Sequence, residues 1–106
     1  MNSYENLITR SSTRNFSDKP VSNDIIKKIV YAGHRAANAN NKQIWKFAVI
    51  TNKQKRLDIK NMCPNGPYIE CAPVCVCVFC EESNFYIEDG SAATQNILSA
   101  AHFLGL

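Results

Sequence analysis

Two stretches of the chain carry residue types whose spacing could do chemistry. The first is Thr9-Arg10-Ser11-Ser12-Thr13-Arg14, where two guanidiniums and four hydroxyls fall within six residues. A guanidinium is a planar fork that matches phosphate oxygens two at a time. Hydroxyls add rotatable donors that complete an oxygen shell. In an extended backbone Arg10, Ser12 and Arg14 point the same way, which suits a grip on one phosphate. A solvated polar loop following a helix is the other reading of the same residues.

The second stretch is Ala36 to Phe47, AANANNKQIWKF, with side-chain amides at Asn38, Asn40, Asn41 and Gln43. Amides donate and accept together, which suits a heterocycle with a mixed donor and acceptor edge. Taken by itself, the run is better explained as a capping and turn segment ahead of a strand.

Cys63, Cys71, Cys75, Cys77 and Cys80 invite a third chemistry, since soft thiolates bind zinc and iron–sulfur clusters. Strand alternation would place Cys75 and Cys77 on one face with Phe79, and Cys80 on the other. Zinc sites prefer two separated pairs of ligands. Each cysteine of PVCVCVFC therefore reads as a small hydrophobe of a buried strand. His34 reads as a cation at a helix end and His102 as the polar side of a helix. Lys53, Lys55 and Arg56 read as a solvated helix start. No metal ligands are assigned.

The elements that must position these residues follow from periodicity. Ser3 is placed to cap a short helix with Tyr4, Leu7 and Ile8 on one side. Thr9 to Val21 is polar and extended, closed by Lys19-Pro20. Ser22 caps a second helix, with Asp24 near its positive end and Ile25, Ile26, Ile29 and Val30 as its apolar stripe. Asn38 to Lys42 is a loop. Trp45, Phe47, Val49 and Thr51 alternate as in a strand. A short helix runs to Met62, and Pro64 to Pro67 is a loop. Pro73 to Cys80 reads as a strand buried on both faces. A long helix from about Asn84 to Leu104 is rich in alanine, which implies close backbone packing against another helix. It would leave its last carbonyls to the chain terminus and solvent. Helices alternating with strands give an α/β or α+β unit over residues 1–106.

Composition bounds the function. The chain has 106 residues, is 45% hydrophobic and 20% charged, and carries 12 basic against 9 acidic residues for a net +3. That is an ordinary globular balance, too mildly basic for nucleic acid. No run approaches the roughly 18 apolar residues that span a bilayer, and no secretory signal opens the chain. A cytoplasmic protein with reduced thiols is expected.

Taken in order, the motifs resemble one family. Arg10-Ser11-Ser12-Thr13-Arg14-Asn15-Phe16 is similar to the R-[RS]-S-x-R-x-[FY] opening of nitroreductase-family flavoproteins. Ala36 to Phe47 is similar to that family's A-P-S-x-x-N-x-Q-P-W-x-F, and Ala72-Pro73 precedes an apolar strand as it does there. Asp89 to Leu106 resembles the family's central helix, D-x-x-x-A-x-Q-N-x-x-L-A-A-x-x-L-G-L. The resemblance implies an α+β fold, an α-β-α sandwich with a mixed or antiparallel sheet around a long central helix. It also implies that these residues form the N-terminal portion, since family members continue past L-G-L.

The same resemblance implies FMN as cofactor, NAD(P)H as electron donor, and a nitroaromatic, quinone or similar small acceptor. It implies a homodimer with flavin near the subunit interface. Arg10, Ser11, Ser12 and Arg14 inherit the phosphate and ribityl contacts. Ala37, Asn38, Ala39 and Asn41 inherit a loop that reaches the flavin bound mainly by the other subunit, with Gln43 and Trp45 as support. No catalytic side chain is implied, because the flavin carries the chemistry. Ala37 and Ile44 stand where the family has proline, and Asn38 where it has serine. Losing two prolines frees that loop's backbone.

Two other classes compete with the flavoenzyme. A non-catalytic phosphate- or nucleotide-binding module would use Arg10 to Arg14 without flavin selectivity. A thiol metal-binding domain would use Cys75, Cys77 and Cys80.

Overall fold

The computed structural model describes residues 1–106. Its four helices and two strands run α1 (Ser3–Thr9), α2 (Asn23–His34), β1 (Trp45–Ile50), α3 (Lys53–Met62), β2 (Cys75–Cys80) and α4 (Tyr86–Phe103). The strands pair antiparallel, with Trp45 opposite Cys80 and Ile50 opposite Cys75. This is an α+β arrangement.

The core is where α2, α4 and one face of the sheet meet. Ala36, Trp45 and Ala93 are buried together, with Phe47, Val78 and Cys80 packed against them. Ala93 is fully buried, as the alanine-rich pattern of α4 requires. At the α2–α4 crossing, a Cβ on Gly33 would stand 2.8 Å from Ile97 and 3.2 Å from Phe47. Only glycine allows that approach. Asn96 Nδ2 ties the pair by donating to the Ala32 carbonyl at 2.9 Å.

Several expectations are corrected. Asn2, not Ser3, caps α1: its side chain accepts from Glu5 N at 2.9 Å while the Glu5 carboxylate accepts from Asn2 N at 3.1 Å. That reciprocal pair needs an acid three residues after the cap, and three residues after Ser3 stands Asn6. The apolar side of α1 faces outward, with Tyr4, Leu7 and Ile8 all exposed. The helix is instead attached through Asn6 Nδ2, which donates to the Ser99 carbonyl at 3.0 Å.

β2 is half-buried, with Phe79 exposed, rather than covered on both faces. A two-stranded sheet leaves the outer edge of each strand bare. Arg56 is not solvated: its Nη1 donates to the carbonyls of Glu70, at 2.7 Å, and Ala72, clamping α3 to the segment before β2. His34 stands in the last turn of α2, as expected, and its Nδ1 also accepts from Trp45 Nε1 at 3.2 Å. Two backbone bonds close the end of α4. Leu106 N donates to the Ala101 carbonyl and Gly105 N to that of His102, with Gly105 at φ +87°. This double closure satisfies the Ala101 and His102 carbonyls, which were expected to be left to solvent.

Candidate functional site

Arg10 ends α1 in an extended conformation and is half-buried, while Ser11, Ser12 and Arg14 are exposed on an irregular stretch. None of the four side chains is engaged within the chain. The one ion pair is Lys60 with Glu70, at 3.5 Å, far along the sequence. Both guanidiniums and both hydroxyls are therefore available to an anion. Thr9 Oγ1 lies 2.8 Å from His102 Nε2, so this stretch leaves α1 beside the C-terminal end of α4.

The Ala37–Asn41 stretch is built differently. Ala39 to Asn41 forms one tight 3-10 turn, and Asn40, Asn41 and Gln43 take φ of 54°, 53° and 52°. Left-handed backbone is tolerable for asparagine and costly for glutamine. The prolines expected to stiffen this loop are absent, and hydrogen bonds take their place. Asn38 Oδ1 accepts from Gln43 N at 2.8 Å, and Asn38 Nδ2 donates to the Ala36 carbonyl at 3.3 Å. Ala39 N donates to the Asp89 carboxylate at 3.0 Å. Asn38 and the Ala39 N–H thus frame the loop from within. Ala37 and Asn41 are exposed, and the Asn41 carboxamide makes no bond inside the chain. Gln43 supports the loop through its backbone, and Trp45 is in the core.

The two stretches do not meet in one chain. One is anchored at Asp89 and the other beside His102, thirteen residues later on the same helix. At about 1.5 Å per residue these anchors stand roughly 20 Å apart along α4. Two open apolar clefts exist, one between β2 and the first half of α4 and one between α2 and β1. Neither is lined by Arg10 to Arg14 or by Ala37 to Asn41.

The cysteines divide between the faces of the sheet. Cys80 points toward α4, where its sulfur would lie 2.9 Å from a Cβ on Gly90. Burial, and then the Asp89 carboxylate, push its thiol pKa up. Cys75 is pushed from its ordinary 9.0 to about 11, first by burial and then by Cys77 and Cys63, with Arg56 opposing. A thiol held protonated is a poor metal ligand. No three His, Cys, Asp or Glu side chains converge in a way that could hold a metal ion. No helix is long and apolar enough to cross a membrane.

Asp89 is the residue that sequence reasoning missed as part of this site. It was legible only as the first letter of the α4 motif, and nothing local signals a tie to a residue fifty positions earlier.

Residues 7–70 match the model of the nitroreductase family. The chain is 36% identical over 111 residues to a Methanothermobacter thermautotrophicus protein named "Putative NADH dehydrogenase/NAD(P)H nitroreductase", covering 100% of this chain and 58% of the relative. A crystal structure of a protein of the same name from Parabacteroides distasonis superposes with a TM-score of 0.92 at 28% identity, over 96% of this chain and 62% of that one. An FMN-dependent nitroreductase from Clostridium difficile superposes with a TM-score of 0.91 at 26% identity, over 96% and 61%. The chain thus spans about three-fifths of the length of the relatives it matches, with 58% for the first of them. With the α+β fold, the motif order and these matches in agreement, the chain belongs to the nitroreductase family.

Proposed function

We propose that the whole protein is a cytoplasmic, FMN-dependent oxidoreductase that moves electrons from NAD(P)H to a nitroaromatic, quinone or similar small acceptor. The observation that carries this reading is the pair Arg10 and Arg14, two guanidiniums with no partner in the chain, beside the free hydroxyls of Ser11 and Ser12. Such a set fits the dianionic end of FMN. Both arginines would hold the phosphate through charge-assisted bonds, and the serines would complete its oxygen shell. The Asn41 carboxamide, free and exposed, suits the mixed edge of the ring. Ala37 and Ala39 present small side chains that let the loop approach closely, and Asn38 keeps its shape. Bound FMN supplies the electron chemistry itself. The protein's part is to bind, orient and shield, and no side-chain nucleophile or base is assigned.

A homodimer follows from the same reading. The two stretches are anchored at opposite ends of α4, so a site that uses both draws one from each protomer. Exposed Tyr4, Leu7 and Ile8 on α1, with Phe103 and Leu106 at the end of α4, supply apolar surface for such an assembly.

Replacing both Arg10 and Arg14 by alanine is expected to weaken FMN binding by several kcal/mol, since charge-assisted bonds contribute roughly 1.5–3 each. Equilibrium titration of flavin fluorescence reads this directly. Unchanged affinity removes the phosphate assignment. Tight FMN binding with no NAD(P)H oxidation would instead favour a non-catalytic nucleotide-binding module.

A further inference from the structure

The Ala37–Gln43 loop holds a conformation it would not choose alone. Three residues without glycine's freedom, Asn40, Asn41 and Gln43, sit at φ of 54°, 53° and 52°. Such backbone persists only when its surroundings over-determine it. Inside the loop the Asn38 side chain closes a ring onto Gln43 N at 2.8 Å. That bond fixes the loop's shape but not its place on the protein.

Its place is fixed by Asp89. The carboxylate is 5% exposed and accepts the Ala39 N–H at 3.0 Å, across fifty residues of sequence. No cation pairs with it, since the chain's one ion pair is Lys60 with Glu70. Burying a carboxylate is costly unless it is hydrogen-bonded and its charge is offset. Asp89 lies in the first turn of α4, where the helix dipole favours a negative charge and Phe85 offers no side-chain cap. An apolar residue would fill the same space at lower cost but would leave the Ala39 N–H orphaned under the loop. The carboxylate is therefore explained by what it holds.

We propose that Asp89 is the positioning residue for this loop: its buried carboxylate seats Ala39 and so presents Asn41 to the flavin ring. The inference rests on the flavin reading above for what the loop faces, and on this chain's own bonds for how the loop is held.

The test is made on the whole protein with Asp89→Ala and Asp89→Asn. Amide hydrogen exchange and FMN affinity are read in parallel. Asp89→Ala is expected to speed exchange at Ala39 to Gln43 by about tenfold or more and to raise the FMN Kd by about tenfold, a loss the size of one charged-group hydrogen bond. Exchange at Ile29, Ala93 and Ile97 stays as in the wild type. Asp89→Asn keeps an acceptor and is expected to recover most of both effects. Unchanged exchange at Ala39 overturns the anchor. Equal acceleration in the loop and the core overturns it too, since that is general destabilisation. A loosened loop with unchanged FMN affinity overturns the presentation of Asn41. A wild type that binds no FMN overturns the flavin reading instead, while the exchange data still decide whether Asp89 seats the loop.

Discussion

Cys75 sets out the residue scale. Its thiol pKa is raised from 9.0 to about 11, by burial first and then by its neighbours Cys77 and Cys63. The folded state therefore binds a proton that the unfolded state releases near pH 9. This contribution to stability is complete below pH 9 and is lost as the pH climbs toward 11. The same shift makes Cys75 slow toward thiol reagents, because the thiolate is the nucleophile. Cys71, which is exposed, is expected to label first at pH 8 and Cys75 to lag until well above pH 9. Mass spectrometry of timed alkylation checks the order, and equal labelling at pH 8 contradicts it. Residue chemistry was only partly legible in the sequence. The free guanidiniums of Arg10 and Arg14 could be anticipated from their spacing. The bonds made by His34 and by the buried Asp89 could not, because each depends on a partner brought in by the fold: Trp45 Nε1 at 3.2 Å and Ala39 N at 3.0 Å.

The crossing of α2 and α4 governs the element scale. Gly33 is the point of closest approach, and a methyl group there would meet Ile97 at 2.8 Å. Gly33→Ala should gain about 1 kcal/mol of helix propensity and lose more to the collision. A net loss of roughly 1–2 kcal/mol is expected in denaturant unfolding of the whole protein; a stabilised variant would mean that the two helices can part at no cost. Helix positions were the most legible feature of the sequence, because Ser22 and Asn52 are strong caps and α2 has a clear apolar stripe. Burial was less so. The apolar run of β2 signals a strand but not how many strands flank it, and Tyr4, Leu7 and Ile8 share a side without revealing what that side meets. At the start of α1, two good capping residues stand in succession, and only the acid at Glu5 decides for Asn2.

At the scale of the whole molecule the chain buries little. Only eight of 106 residues are buried, and its radius of gyration is 14.1 Å. A compact chain of this length would measure about 13 Å. Sixteen large hydrophobic side chains are exposed, more than isolated surface positions explain. The relatives' greater length and the proposed second protomer both offer cover for that surface. The separation of the two stretches along α4 belongs to the same scale, and no local pattern could reveal it. The measurement that tests the account most directly is a visible-absorbance titration of the whole protein with FMN and, separately, with riboflavin, which lacks the phosphate. A bound-flavin spectrum is expected with FMN, and binding at least a hundredfold weaker with riboflavin, about 2.7 kcal/mol for the lost contacts to Arg10 and Arg14. Equal affinity for the two flavins, or no spectral change with either, would contradict it.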